Sequence, residues 1–495
     1  MPPADLLHHL STEARERKPN LIRDVWKSVK RGSDIVSLAN GDPHYTLYPL
    51  RRLQYEVPSL CPEDPVSAWR AAHGTATSQT FTSHIDEHCA LSIRTALQYS
   101  TGAGSTEARE SIMEINKYYH NPPNHVVTLA LGNADALSKC FRLFGEPGDN
   151  FIADEYAFTA LTSVAESQGI GWVPVRLDAG GMVPEELHRI LLNWDDACGR
   201  RPHVIYLVPC GQNPTGSTLS IERRKRIYEI AQEFDLLIIE DDPYYFLQFG
   251  SCSPEVTDSS HNLLPSFLSM DEDGRIIRVD SFSKIIAPGM RLGWITSNPA
   301  FQPYIIAITD ASSQHPHGFG QMFITELLAP TGWQLRGFDK WVHSLRAEYQ
   351  RQRDFFVKVF HEEVEPSGLA EMQVPQAGMF VWVRVNMEKH SRYRDDLRIS
   401  ARSMEPRTNA KDLMAQLFDY CLDNGVAFMP GSVFALSSHP ALLNMDSPVE
   451  DRVNYCRMTF SGTQETIQKG LSRFGGALRN FFNLDSLSAD AETRE

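Results

Sequence analysis

No Cys-x-x-Cys pair and no regular cysteine framework occurs among the eight cysteines of this 495-residue chain, so neither a disulfide scaffold nor a thiolate zinc site is indicated. No uninterrupted apolar stretch is long enough to span a bilayer. The first 17 residues have neither the apolar core of a secretory signal nor the acid-poor, arginine-rich pattern of a transit peptide, so the cytosol is the expected compartment. Lysine and arginine form no basic tract, and the net charge of -15 opposes attraction to nucleic acid or anionic lipid. Internal repeats are absent as well. What remains is a globular composition in a chain too long for a single hydrophobic core, which predicts at least two lobes.

Between about residues 100 and 300, short β-branched and apolar runs alternate with helical patterns, as an open, mostly parallel α/β sheet requires. Strands are predicted at 125–130, 151–154, 172–177, 203–209, 236–240 and 276–279, and 221–234 carries a helical apolar stripe opposite Arg223, Arg224 and Lys225. Such sheets bind ligands at the carboxyl ends of their strands. Beyond Pro330, a charged helix at 341–362 and short strands such as 378–385 predict a smaller α+β lobe. The segment 387–412, dense in both charges, reads as a solvated insertion, and the small, acidic tail 485–495 as disordered.

The most informative segment is Asp-Ser-Phe-Ser-Lys-Ile-Ile-Ala-Pro-Gly-Met-Arg-Leu-Gly-Trp at 280–294. A lone lysine after a strand is usually a solvated surface residue. Here an apolar setting would lower its pKa and supply the free amine that attacks an aldehyde, giving a Schiff base at Lys284. Ser281 and Ser283 flank it with hydroxyls, and Arg291 is spaced to return to the same place, a donor set suited to a phosphate. In Glu-Asp-Asp-Pro-Tyr-Tyr at 240–245, a carboxylate and a phenol three residues apart suit two contacts on one planar heterocycle. Asp241 can pair with a protonated pyridine nitrogen and Tyr244 can donate to a ring phenolate oxygen. In Gly-Gln-Asn-Pro-Thr-Gly at 211–216, a tight turn presents the Asn213 amide. At 131–136 a strand runs through glycine into a helix whose free amides, at Asn133 and Ala134, can cradle phosphate.

In this order, and with Arg-Lys-Pro at 17–19 and Ala-Leu-Gln-Tyr-Ser at 96–100, these segments resemble the fold type I, class I aminotransferases. The likeness is greatest to the fungal aromatic amino acid and 2-aminoadipate enzymes and to the animal kynurenine aminotransferases, and covers roughly 15–478. It implies pyridoxal 5'-phosphate as cofactor, with Lys284 as Schiff-base lysine and proton shuttle, Asp241 on the pyridine nitrogen, and Asn213 with Tyr244 on the ring oxygen. Asn133, Ala134, Ser281, Ser283 and Arg291 would surround the phosphate, and Phe158 would stack on the ring. Arg457, in Tyr-Cys-Arg-Met-Thr-Phe at 455–460, matches the arginine that grips the substrate α-carboxylate, a bidentate task lysine performs poorly. Gly41 and Asn213 would also face the substrate, and Tyr99 resembles a residue lent by the second subunit of a homodimer.

The same resemblance implies an arm and part of the small domain at 1–95, a large cofactor-binding domain at 96–330 with a seven-stranded sheet, and a small domain at 331–484. The expected reaction moves an amino group from an L-amino acid, aromatic in the first instance, to 2-oxoglutarate or another 2-oxo acid by ping-pong kinetics. Asp135 beside the phosphate loop and Asp42 in Asn-Gly-Asp-Pro at 40–43 depart from the family pattern. An acid near the entrance disfavours a dicarboxylate donor and suggests a specialised enzyme of secondary metabolism. 2-Aminoadipate and kynurenine remain alternative donors, and lyases of the same fold share the lysine and aspartate. A DNA-binding regulator built on this domain would need an N-terminal module for which the expected start of the resemblance leaves no room.

Overall fold

The computed structural model describes residues 5–18, 38, 41–71, 78–85, 89–249, 263–400, 403, 405–442 and 448–492, with backbone alone at 484–492. Pro19 and Asn40, in two of the motifs above, lie outside them.

An antiparallel hairpin of β1 (Arg52–Pro58) and β2 (Ser78–His84) precedes the main sheet. The chain then forms β3 (Val126–Ala130), β4 (Asn150–Asp154), β5 (Gly171–Val175), the two-residue pair β6 (Leu177–Asp178) and β7 (Gly181–Met182), β8 (Val204–Leu207), β9 (Leu237–Asp241), β10 (Ile276–Ser281) and β11 (Gly293–Ser297). Seven of these strands make one sheet in the order β3-β11-β10-β9-β8-β4-β5. β11 runs antiparallel to both neighbours, and the pairings from β10 through β5 are parallel. The expected strands are all present within a few residues; β11 and the β1–β2 hairpin were not foreseen.

Both faces of the sheet are covered, so its strands are apolar throughout and alternate residues enter different cores. Along β9, Leu237 and Ile239 join the core formed with the helix Asn133–Phe144, while Ile238 joins that formed with Ile221–Glu233. A second sheet, β12 (Ala370–Met372), β13 (Phe380–Val385), β14 (Met429–Pro430) and β15 (Tyr455–Thr459), has the order β12-β13-β15-β14. It packs with the helices Gln334–Glu363, Ala410–Asp423 and Gln464–Glu492 through Phe356, Val381, Leu417 and Phe474.

Three expectations change. The described part of the N-terminal segment packs on the large-sheet helices: Leu6, Leu10 and Ala14 are buried with Phe141 and Phe144. The charged insertion is anchored at its start, because Met387 and His390 are buried and the His390 ring lies against Phe481 and Phe482. The last helix continues as backbone to Glu492, into the tail expected to be disordered, with no glycine or proline after Gly476 to stop it.

Candidate active site

Sheet pairing brings the two most informative motifs side by side, since Asp241, at the end of β9, is in register with Val279 on β10. Five residues after Val279, beyond the end of β10, comes Lys284 in a turn. Its amine is half-buried, and desolvation, reinforced by the guanidinium charges of Arg457 and Arg291, lowers its pKa from the ordinary lysine value. Among the described residues no carboxylate forms an ion pair with it. The following turn is tied to the long helix by Trp341, whose indole Nε1 donates to the Ile285 carbonyl at 2.7 Å.

Asp241 is 4% exposed, and its carboxylate accepts from the Asn133 side-chain amide and, at 2.9 Å, from the Tyr206 hydroxyl. Burial dominates over these donors and pushes its pKa up to about 6. Tyr244, three residues on, is buried, which raises its phenol well above the usual range.

The phosphate side is built from a helix start. Gly132 (φ +95) precedes Asn133–Phe144, and a Cβ there would meet Arg291 Nη2 at 2.7 Å. The first intrahelical amide bond is that of Ala136 to Gly132 O at 3.1 Å, leaving the N–H groups of Asn133, Ala134 and Asp135 outside the ladder. Arg291 donates to the Leu131 carbonyl at 2.7 Å and to Pro288 O at 3.1 Å. On the other side, the Ser281 hydroxyl meets that of Ser283 at 2.7 Å. Asp135 turns back instead of facing this pocket: it accepts from Leu131 N at 2.9 Å and pairs with Lys139 at 2.7 Å.

Asn213 and Arg457 come from different sheets and meet at 2.6 Å, the guanidinium Nη1 donating to the amide oxygen. The Arg457 guanidinium lies 4.4 Å from the Phe380 ring centroid and 4.7 Å from that of Phe434. The Asn213 loop can approach β13 because Gly211 touches Gly378; a Cβ on Gly211 would lie 2.6 Å from Gly378 Cα. Gln212 anchors the loop to the end of β4 by donating to Asp154 at 3.2 Å and to Tyr156 O at 2.6 Å. Phe158 is half-buried beside this strand end and packs against both lobes. Tyr99 and Gly41 stand apart: Tyr99 is 61% exposed, and among the described residues no atom beyond its chain neighbours lies within 4 Å of a Cβ built on Gly41.

Sequence reasoning gave the Asn133 side chain no role of its own, whereas its amide donates to Asp241. It missed Tyr206, Trp341, Gln212 and the arginine–aromatic contacts of Arg457. Gln212 lies in the 211–216 motif but was given no role there, Tyr206 sits within an apolar strand, and Trp341 and Phe434 belong to no motif.

A phosphorylated pyridine aldehyde fits this arrangement. The buried Asp241 carboxylate has no cation against it among the described residues, the buried Asn133 Oδ1 has no hydrogen-bond partner there, and the Gly132 helix start has no side-chain cap. Each suits one part of such a group: ring nitrogen, ring edge and phosphate.

Residues 66–474 match the family model "Aminotransferase class I and II". The chain is 49% identical to an L-tyrosine:2-oxoglutarate aminotransferase of Tapinella panuoides, over 97% of each chain. It is 33% identical to an aromatic amino acid aminotransferase of Schizosaccharomyces pombe, over 97% of this chain and 98% of that one. The crystal structure of aminotransferase Aro8 from Candida albicans superposes with a TM-score of 0.84 at 29% identity, covering 97% of this chain and 99% of that one. The chain belongs to the class I and II aminotransferases, with the type I fold of that family, and is a pyridoxal-phosphate-dependent enzyme.

Proposed function

We propose that the enzyme transfers the amino group of an aromatic L-amino acid, tyrosine foremost, to 2-oxoglutarate. The observation that carries the reaction is the placement of the half-buried Lys284 amine, with lowered basicity, after the strand adjacent to the one ending in buried Asp241. The donor rests on the similarity to aromatic and tyrosine aminotransferases, supported by the rings around Arg457.

Pyridoxal phosphate supplies an aldehyde for the amino group and a protonated ring that withdraws electrons. Lys284 Nζ would hold the cofactor covalently and is placed to carry a proton to and from the substrate α-carbon. Asp241 keeps the ring nitrogen protonated, Asn213 and Tyr244 bind the ring oxygen, and Phe158 covers the ring. Ser281, Ser283, Arg291 and the main-chain N–H groups of Asn133 and Ala134 hold the phosphate. Arg457 receives the α-carboxylate, with Gly41 lining the substrate side. The exposure of Tyr99 and Gly41 fits a homodimer in which Tyr99 completes the partner's site. Residues 96–330 and 331–484 serve as the large and small domains, and the enzyme works in the cytosol, in secondary metabolism.

Purified enzyme with 2-oxoglutarate and tyrosine, phenylalanine, tryptophan, kynurenine or 2-aminoadipate tests the proposal. The expected kcat/KM for tyrosine exceeds that for 2-aminoadipate by about tenfold or more, equivalent to roughly 1.4 kcal/mol, with one glutamate formed per donor consumed. A preference for 2-aminoadipate would overturn the donor, and product without consumption of an oxo acid would point to a lyase.

A further inference from the structure

Away from the active site, consecutive histidines fasten the N-terminal segment to the large sheet. The turn Leu7–His9 is pinned by Leu6 and Leu10, each 3% exposed. It faces Asp235, a residue with φ +53 between the helix Ile221–Glu233 and β9. His8 Nε2 lies 2.7 Å from one Asp235 oxygen, and His9 Nε2 lies 3.3 Å from the other.

The other ring nitrogens are engaged too. His8 Nδ1 is 3.0 Å from the Asp5 carbonyl, and His9 Nδ1 is 3.0 Å from His203 Nδ1. His203 Nε2 is 3.5 Å from Asp149, which also has Arg200 at 3.8 Å. His9 and His203 are almost fully buried. In one tautomer assignment both nitrogens facing Asp235 are free of protons. His8 donates from Nδ1 to Asp5, His9 from Nδ1 to His203, and His203 from Nε2 towards Asp149. The lone pairs of His8 Nε2 and His9 Nε2 then point at the Asp235 carboxylate.

We propose that His8 Nε2, His9 Nε2 and the Asp235 carboxylate bind one divalent transition-metal ion of the zinc class, clipping the N-terminal segment to the large domain. The three ligand atoms lie within 4.8 Å of one another. A tetrahedral site with bonds of about 2.0–2.1 Å places its ligand atoms roughly 3.3 Å apart, and His9 Nε2 lies 3.3 Å from Asp235 Oδ1. His8 Nε2 lies 2.7 Å from the other oxygen, Oδ2, and both side chains are half-exposed, so they can move to share one ion. Asp5 O and His203 Nδ1 fix the two ligand tautomers through the far ring nitrogens, as metal-bound histidines require. Arg275 Nη1 is 3.9 Å from Asp235, but it donates to the Ala231 and Leu236 carbonyls at 2.9 and 2.7 Å and leaves the outer side of the carboxylate to the ion.

The full-length holoenzyme, stripped with a chelator and dialysed, is titrated with zinc chloride by calorimetry and with cobalt(II) by visible absorption beyond the cofactor bands. One equivalent per chain is expected, with a tetrahedral cobalt spectrum and a higher melting temperature in zinc. His8→Ala and Asp235→Asn, both at exposed positions that spare folding, should weaken binding by about tenfold or more and abolish the thermal gain with transamination unchanged. No saturable uptake, or uptake equal in wild type and both variants, would overturn the site.

Discussion

Asp241 is held away from water without a charged partner of opposite sign directly against it, and that fixes its behaviour with pH. Its pKa is raised from the usual carboxylate value to about 6, so acid favours the neutral form. The form that can hold a protonated ring nitrogen therefore prevails above about pH 6 and is lost as pH falls through it. Cofactor affinity should decline below this pH in the wild type, and the decline should be absent in Asp241→Asn, measured by fluorescence titration of cofactor-free enzyme. The same variant should lose about 10²–10³-fold in kcat, as removal of one fixed electrostatic contact typically does. Equal pH profiles, or near-normal turnover, would remove the role from Asp241. Lys284, Asp241, Tyr244 and Asn213 were legible as candidates because each sits in a contiguous motif at a strand end or turn, and Arg457 because it sits in a contiguous motif within β15. Tyr206 and Trp341 were not, because a hydroxyl inside an apolar strand and an indole on a long helix gain their roles from neighbours distant in sequence.

At the scale of elements, strand ends are held in place by a buried arginine. Arg278, in the middle of β10, is fully buried and reaches Glu240 at 2.9 Å, Asp242 at 3.2 Å and Asp280 at 2.8 Å. It locks the ends of β9 and β10 together directly beneath Asp241 and Lys284. Burial pushes Asp242 up to about 7 and Asp280 to about 6, against the attraction of Arg278. Arg278→Met leaves three carboxylates without their shared cation, a loss of about 3–5 kcal/mol if they stay ionised. A melting temperature lowered by several degrees at pH 8 is expected, with partial recovery at pH 6, where protonation relieves the repulsion. An unchanged melting temperature would show that the cluster does not hold the strands. The strand pattern of the large sheet was readable from its apolar runs, but β11 was hidden because 293–297 begins inside a motif already read for its chemistry. The β1–β2 hairpin was missed because half of its residues face solvent and its two strands are separated by 19 residues.

For the whole molecule, the topology accounts for the site. A parallel sheet delivers Asp241 and the loop with Asn213 to one edge, and β10 carries Lys284 to the same edge. β11, reversed between β10 and β3, brings the chain through Arg291 back to the Gly132 helix start. The second sheet adds Arg457 from outside, across the Gly211–Gly378 contact. Of the described lysines, Lys139 is also buried near the site, but it is paired with Asp135 at 2.7 Å, whereas Lys284 faces guanidinium groups. This difference supports the proposal that Lys284 is the amine that bonds the cofactor. Borohydride reduction of the holoenzyme followed by proteolysis and mass spectrometry tests this most directly. The account predicts one phosphopyridoxyl group per chain on the peptide containing Lys284, and a label on Lys139, on any other lysine or on none would contradict it.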